Sequence, residues 1–133
     1  EQLYKKKNWR VSSKARSFFS GPCMKLIPVN IIRERRFDIR FKNGEDSLFM
    51  FLISDSFRYV NFTSKEAVYY RRNRQGSAIF QHRSKKDRLR NSCAMLTEYF
   101  NIYTRGEYSI LFFLTRLLAE MKCITMDLLG LRR

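Results

Sequence analysis

The C-terminal part of the chain carries two apolar stripes that recur every three or four residues, and this pattern constrains the fold more than any other feature. Such spacing places all members of a stripe on one face of an α-helix. The first stripe contains Leu89, Cys93, Leu96, Phe100 and Tyr103, and the second contains Ile110, Leu114, Leu117, Met121, Ile124 and Leu128. Residues 104–107 interrupt the pattern, so the sequence predicts a hairpin of two helices.

The two stripes have two compatible interpretations. Packing of the helices on each other and on the rest of the domain is the ordinary one. The alternative is a basic amphipathic surface that lies on an anionic membrane, and "HRSKKDRLR" at 82–90 favours it because six of these nine residues are Lys, Arg or His. Four charged residues within the stretch 108–131 argue against a helix that spans the bilayer: Arg116, Glu120, Lys122 and Asp127.

The net charge of the chain indicates which kinds of partner it can bind. The chain has 133 residues, enough for one domain, and its 27 Lys and Arg against 12 Asp and Glu give a net charge of +15. Such a chain favours anionic partners: nucleic acid, acidic lipid or phosphate-bearing substrates. Cys23, Cys93 and Cys123 are widely spaced and form no CxxC pair, which indicates neither a disulfide framework nor a zinc site and fits a reducing cytoplasm.

Upstream of the stripes the chain reads as a mixed segment that ends near residue 84. Residues 45 to about 54 predict a buried helix, because apolar positions crowd almost all round it. "FRYVNF" at 57–62 and "EAVYYRR" at 66–72 are rich in β-forming residues and predict neighbouring strands. No Walker-type loop, GxSxG or HExxH motif is present, and His82 has no acid in register with it.

Four short motifs remain: "CMKL" at 23–26, "RFD" at 36–38, "GEDSLF" at 44–49 and "VYYRRNRQGS" at 68–77. In this order and at this spacing, the series from about Gly21 to Ser77 resembles the second, acceptor-side half of inverting, family-two-type glycosyltransferases of the bacterial polysaccharide type. Met24 and Ile27 depart from the residues that many relatives carry beside the Lys-Leu pair. The nucleotide-binding half of that family has no counterpart in this sequence, so the chain is expected to come from a longer one.

The resemblance implies roles for particular residues. Asp46 matches the general base that takes a proton from the acceptor hydroxyl, and Glu45 beside it is expected to orient or bind the acceptor. The alternative for this acid pair is capping of the helix that it opens. The remaining residues expected to bind substrate, in part through the diphosphate group, are Lys25, Arg71, Arg72, Arg74 and Ser77.

The resemblance also implies an architecture and partners. It predicts an α/β fold, the C-terminal part of a GT-A domain with short mixed strands and helices over 1–84, followed by a helical hairpin over 85–133. The implied partners are a nucleotide-sugar donor and a saccharide or lipid-linked acceptor, with a divalent Mn²⁺ or Mg²⁺ held by the nucleotide-binding half and no metal in this chain. Self-association through an uncovered apolar face is a further expectation. A basic nucleic-acid-binding module is the alternative function, because aromatic and basic residues interleave over 69–90.

Overall fold

The computed structural model describes residues 9–10, 15–64, 66–70, 72 and 83–131, and helices dominate them. Four α-helices follow one another: α1 (Val29–Ile32), α2 (Glu45–Leu52), α3 (Lys85–Tyr103) and α4 (Ile110–Leu128). Two 3₁₀ helices occupy Ala15–Ser20 and Ser54–Ser56. Strands β1 (Trp9–Arg10) and β2 (Tyr59–Val60) form one short antiparallel pair.

The predicted α/β fold of the GT-A type, with short mixed strands, is wrong for this chain. Segment 57–62 is a strand only at β2, and β2 pairs with β1 instead of with segment 66–72. Residues 66–70 form no strand, and the side chains of Val68, Tyr69 and Tyr70 are exposed. β-Branched and aromatic residues favour a strand where a partner strand and a buried face exist, and no described strand lies beside these residues.

Helix α2 lies in the centre of the core, as the apolar run predicts. Gly44 precedes it with a φ of 87°, a left-handed conformation that glycine adopts without strain. A Cβ atom at Gly44 would lie 3.0 Å from Cε of Met95 on α3, so the glycine also lets the two helices approach closely. In the next turn the side chains of Leu48, Phe49, Met50 and Phe51 are all buried. Beyond its first turn, α2 is therefore surrounded by the core.

Helices α3 and α4 confirm the two helices predicted from the stripes. The hydroxyl of Ser84 accepts a hydrogen bond from the backbone N–H of Asp87 at 3.1 Å and caps α3. Ser109 caps α4 in the same way through the N–H of Phe112 at 3.4 Å. Phe100 and Tyr103 near the end of α3 contact Phe113 near the start of α4, so the helices run antiparallel. The domain boundary near residue 84 stays a prediction.

The stripes themselves do not form the buried face. On α3 the buried residues are Ser92, Met95, Tyr99 and Ile102, and on α4 they are Phe112, Phe113 and Asp127. Several predicted stripe members are exposed instead: Cys93, Phe100, Ile110, Leu114, Met121 and Leu128. For α4 the reason is that its polar residues Arg116 and Asp127 lie inward, where each has a charged or polar partner on another helix.

A partly buried ion pair joins α3 and α4 at the far end of the hairpin. Nε of Arg88 on α3 donates to Oδ1 of Asp127 on α4 at 2.7 Å, and the Asp127 side chain is fully buried. Nζ of Lys85 donates to the carbonyl oxygen of Leu128 at 3.1 Å, at the C-terminal end of α4. Since a helix C-terminus carries unpaired carbonyl groups and a negative partial charge, Lys85 stabilises that end.

One apolar core connects the helices. The ring of Phe51 on α2 lies 5.3 Å from that of Tyr99 on α3 and 5.4 Å from that of Phe112 on α4, and Phe19 of the first 3₁₀ helix packs 5.9 Å from Phe112. Each of these rings is buried. Among the helices of the described ranges, none combines the length and the apolar character that crossing a bilayer requires.

Candidate functional site at the start of helix α2

The carboxylate of Asp46 lies in the first turn of α2, at the edge of the core. Its side chain is half-buried and approaches Gly21, where an added Cβ would lie 3.6 Å from Oδ2 of Asp46. A larger side chain at position 21 would fill this space, so the glycine leaves room beside the carboxylate. The four buried residues that follow fix the helix, and the position of Asp46 is fixed with it.

Lys25 follows Gly21 by four residues and is half-buried. Its Nζ donates to the carbonyl oxygen of Cys23 at 3.1 Å. Burial lowers the pKa of Lys25 below its usual value of 10.5, whereas the nearby Cys23 and the negative charge of Asp46 oppose that change. Lys25 and Asp46 stand in separate motifs and act on each other electrostatically, but no ion pair among the described residues joins their charged groups.

The alternative role of the acid pair, capping of α2, is met through the helix dipole and not through a side-chain hydrogen bond. Gly44 is the N-cap residue of α2, and no side chain of the described residues caps the helix by a hydrogen bond. Glu45 and Asp46 occupy its first turn, where a carboxylate interacts favourably with the positive end of the helix dipole. Both side chains are half-buried and half-accessible to a ligand.

A polar cluster behind Asp46 was missed by the sequence analysis. Oγ of Ser47 lies 2.9 Å from the hydroxyl of Tyr99, and Nη1 of Arg116 donates to the same Oγ at 2.8 Å. Cζ of Arg116 lies 4.8 Å from the centre of the Phe112 ring, which interacts favourably with the charge. The cluster thus ties α2, α3 and α4 together one residue from Asp46.

Burial changes the titration of this cluster. It raises the pKa of Tyr99 to about 12, although the hydrogen bond with Ser47 and the charge of Arg116 act in the other direction. It also lowers the pKa of Arg116. The only sequence signal for the cluster was the interruption of an apolar stretch by Arg116.

We expect the stability of the protein to fall at alkaline pH because of Tyr99. Its pKa is higher in the folded than in the unfolded chain, so this contribution is fully present below pH 10.0 and is lost as the pH rises through about 12. The difference corresponds to about 3 kcal/mol in the free energy of unfolding. Urea titrations between about pH 8 and 12 measure it, and Tyr99→Phe should flatten the alkaline decline. Tyr69→Phe, at an exposed tyrosine, is the control, and an equal decline in Tyr99→Phe and the wild type would contradict the assignment.

Four further residues were predicted to bind substrate: Arg71, Arg72, Arg74 and Ser77. Arg71, Arg74 and Ser77 lie outside the described residues. Arg72 is exposed, and no contact among the described residues joins it to α2. Within the described ranges no group of three or more His, Cys, Asp or Glu side chains is arranged to hold a metal ion.

A concavity opens beside Leu48, Phe49 and Leu52 of α2. It has a volume of about 290 Å³, and its charged rim includes Arg36, Asp38, Glu98 and Arg105. Arg40 joins two of these acids, with Nη2 at 2.5 Å from Asp38 and 3.0 Å from Glu98. The acids are thus already paired with an arginine, which leaves Asp46 as the carboxylate better suited to act on a ligand.

Comparison of the chain with protein-family models, with curated proteins and with solved structures finds no match.

Proposed function

We propose that this chain forms the acceptor side of an inverting glycosyltransferase of cell-surface polysaccharide or glycoconjugate synthesis, with Asp46 as the general base. The observation that supports the proposal is the close approach of Asp46 to Gly21, where an added Cβ would lie 3.6 Å from Oδ2 of Asp46. Gly21 opens the resembling series two residues before its first motif, and Asp46 belongs to the third motif, more than twenty residues later. Motifs that act on one substrate must meet in space, and this contact links the start of the series to its third motif.

The chemistry of this site is a proton transfer coupled to substitution. Asp46 accepts the proton of an acceptor hydroxyl while the hydroxyl oxygen attacks the anomeric carbon of the donor sugar. The new C–O bond forms as the bond from that carbon to the nucleoside diphosphate breaks, and attack from the opposite face inverts the centre. Lys25 is proposed to offer its ammonium group to an oxygen of the acceptor. Glu45 lies next to Asp46 in the first turn of α2.

The rigidity of α2 supports this role. A general base contributes most when it is held within hydrogen-bonding reach of the proton that it takes. Leu48, Phe49, Met50 and Phe51 anchor the helix in the core, and Ser47 is bound to Tyr99 and Arg116. The proposal rests on this site and makes no use of an α/β architecture, because one chemistry recurs on unrelated folds.

The donor side of the reaction belongs to residues beyond this site. A nucleotide-sugar donor needs a nucleotide-binding half, in which acids hold Mn²⁺ or Mg²⁺ against the diphosphate. Arg71, Arg72, Arg74 and Ser77 are the residues of this chain proposed to reach the diphosphate or a lipid-linked acceptor. A cytoplasmic location would give the site access to nucleotide sugars.

A transfer assay tests the function. A protein that contains this chain together with a nucleotide-binding half is incubated with radiolabelled nucleotide sugars, Mn²⁺ and a panel of saccharide and lipid-linked acceptors. We expect label to enter at least one acceptor with inversion at the anomeric carbon. Binding of donor and acceptor without any transfer, over the whole panel, would count against the proposal.

One observation favours the alternative, a module that binds single-stranded nucleic acid. Tyr59, Tyr69 and Tyr70 are exposed, and the exposed arginines Arg58 and Arg72 lie beside them in sequence. Exposed aromatic rings stack on bases while arginines contact phosphates. Nucleic-acid binding is the second candidate because it gives Asp46 and Lys25 no role.

The alternative predicts a definite effect of the tyrosines. Stacking contributes about 1 to 3 kcal/mol per base, so Tyr69→Ala combined with Tyr70→Ala should weaken binding of a fluorescent oligothymidine at least about tenfold. Fluorescence anisotropy at several salt concentrations measures it, and Val68→Ala, also at an exposed position, is the control. Equal weakening in the control, or binding that salt abolishes but the tyrosine variants do not change, would leave only non-specific charge attraction.

A further inference from the structure

Helix α4 turns an apolar face outward. Its largest outward apolar side chains, with that of the adjoining Leu129, are between 43% and 66% exposed: Leu111, Leu114, Leu118, Met121, Leu128 and Leu129. A surface helix of a globular protein ordinarily buries its apolar stripe and exposes its polar one. In α4 apolar residues lie on both sides: Phe112 and Phe113 are buried, while Arg116 and Asp127 also lie toward α2 and α3 and leave the outward side apolar. A contiguous exposed apolar surface of this kind marks an interaction site.

The charge that α4 itself exposes is positive. Of its two carboxylates, Asp127 is fully buried and Glu120 is half-buried. Lys122 is the exposed charged residue of α4. Lys85 of α3 contacts the C-terminal end of α4 at Leu128, and Lys86 and Arg90 of the same basic segment are exposed.

We propose that the outward face of α4 lies in the surface of an anionic lipid bilayer. An interfacial helix places its apolar side chains at the boundary of headgroups and acyl chains, and basic residues near them attract anionic lipid. α4 exposes apolar side chains and Lys122, and the chain carries a net charge of +15. Lysine stems extend along the apolar surface while their ammonium groups reach the lipid phosphates. At 19 residues, α4 is about 28 Å long and would lie along the membrane.

The net charge of the chain favours an anionic bilayer over a second copy of the chain as the partner of the outward face of α4. Each chain carries a net charge of +15, so two copies that met through this face would bring like charges together. An anionic bilayer reverses the sign of that interaction, and the basic cluster at 83–90 strengthens it. This inference does not depend on the proposed sugar transfer, since membrane binding is measured without any reaction.

Co-sedimentation with vesicles tests the proposal on the 133-residue chain. Vesicles of phosphatidylcholine alone are compared with vesicles that also contain about 30% phosphatidylglycerol, at about 0.1 M salt. We expect binding to the anionic vesicles only. Lys86→Gln with Arg90→Gln should reduce the partition coefficient by about fivefold per residue removed, and higher salt should reduce it further.

The apolar contribution has its own variants. Leu111→Gln with Leu118→Gln should reduce partitioning into anionic vesicles at least about tenfold, because glutamine keeps the helix but cannot enter the acyl region. The matched control is Leu26→Gln with Ile39→Gln, two exposed apolar residues outside the helices, which should change partitioning by less than about twofold. Circular dichroism checks that helix content is equal in all variants.

Three results would overturn the proposal. One is equal loss of partitioning in the control pair and the α4 pair, and another is unchanged partitioning when Leu111 and Leu118 are replaced. The third is a dimer in sedimentation equilibrium without lipid that the α4 pair dissociates, together with no vesicle binding. That last outcome would assign the face to a second copy of the chain.

Discussion

Replacement of Asp46 by asparagine is expected to reduce sugar transfer by about 10²- to 10⁴-fold, because a positioned general base contributes that much to the rate. Asparagine has nearly the same shape and keeps the side chain in the space beside Gly21. It removes the negative charge from the first turn of α2, which costs about 0.3 to 1 kcal/mol of stability. The fall in kcat should therefore far exceed any fall in the folded fraction.

Glu45→Gln is the matched control, since it removes the neighbouring charge from the same turn of α2. We expect a smaller loss of transfer, mainly through a higher KM for the acceptor. Thermal unfolding of both variants is recorded beside the kinetics. If Asp46→Asn retains full activity per folded molecule, or if Glu45→Gln loses as much as Asp46→Asn, Asp46 is not the general base.

Phe51→Ala is expected to have the largest effect on stability. Phe51 is fully buried, and its ring contacts Tyr99, Tyr108 and Phe112 at centroid distances of 5.3, 5.1 and 5.4 Å. Truncation removes apolar burial and leaves a cavity at the point where α2, α3 and α4 meet, which costs about 3 to 5 kcal/mol. Urea denaturation followed by circular dichroism measures the free energy of unfolding.

The control for this experiment is Leu26→Ala. Leu26 is fully exposed, so its truncation should change the free energy of unfolding by less than about 0.5 kcal/mol. A loss below about 1 kcal/mol for Phe51→Ala would mean that the three helices do not share the core described above.

The helices could be predicted from sequence because their signals are local. An apolar run after the acids marks α2, and a three-to-four-residue spacing marks α3 and α4. The orientation of the hairpin could not be predicted in this way. Periodicity identifies an apolar face, but it does not reveal that Arg116 and Asp127 find partners inside and turn that face of α4 outward. The prediction of a strand over 66–72 was wrong at 66–70 for a similar reason, since a strand needs a partner strand from elsewhere in the chain.

The candidate site was predictable only in part. Asp46 and Lys25 stand in short motifs, and the resemblance that those motifs carry led to both. The cluster behind them unites Ser47 with Tyr99 and Arg116, which follow it by 52 and 69 residues. Nothing in the spacing of one sequence reports contacts at such separations, and a serine, a tyrosine and an arginine are each common residues. Geometry alone identifies them as one unit.

The ion pair of Arg88 and Asp127 has a consequence for the register of the hairpin. If α4 slid along α3 by one helical turn, about 5.4 Å, this pair would break and the fully buried Asp127 side chain would lose a charged partner, which is unfavourable. Apolar surfaces alone tolerate such a slip, so the pair favours the observed alignment. The same alignment sets how far Arg116 reaches toward Ser47, and the contact at one end of the hairpin thus affects where the first turn of α2 is held.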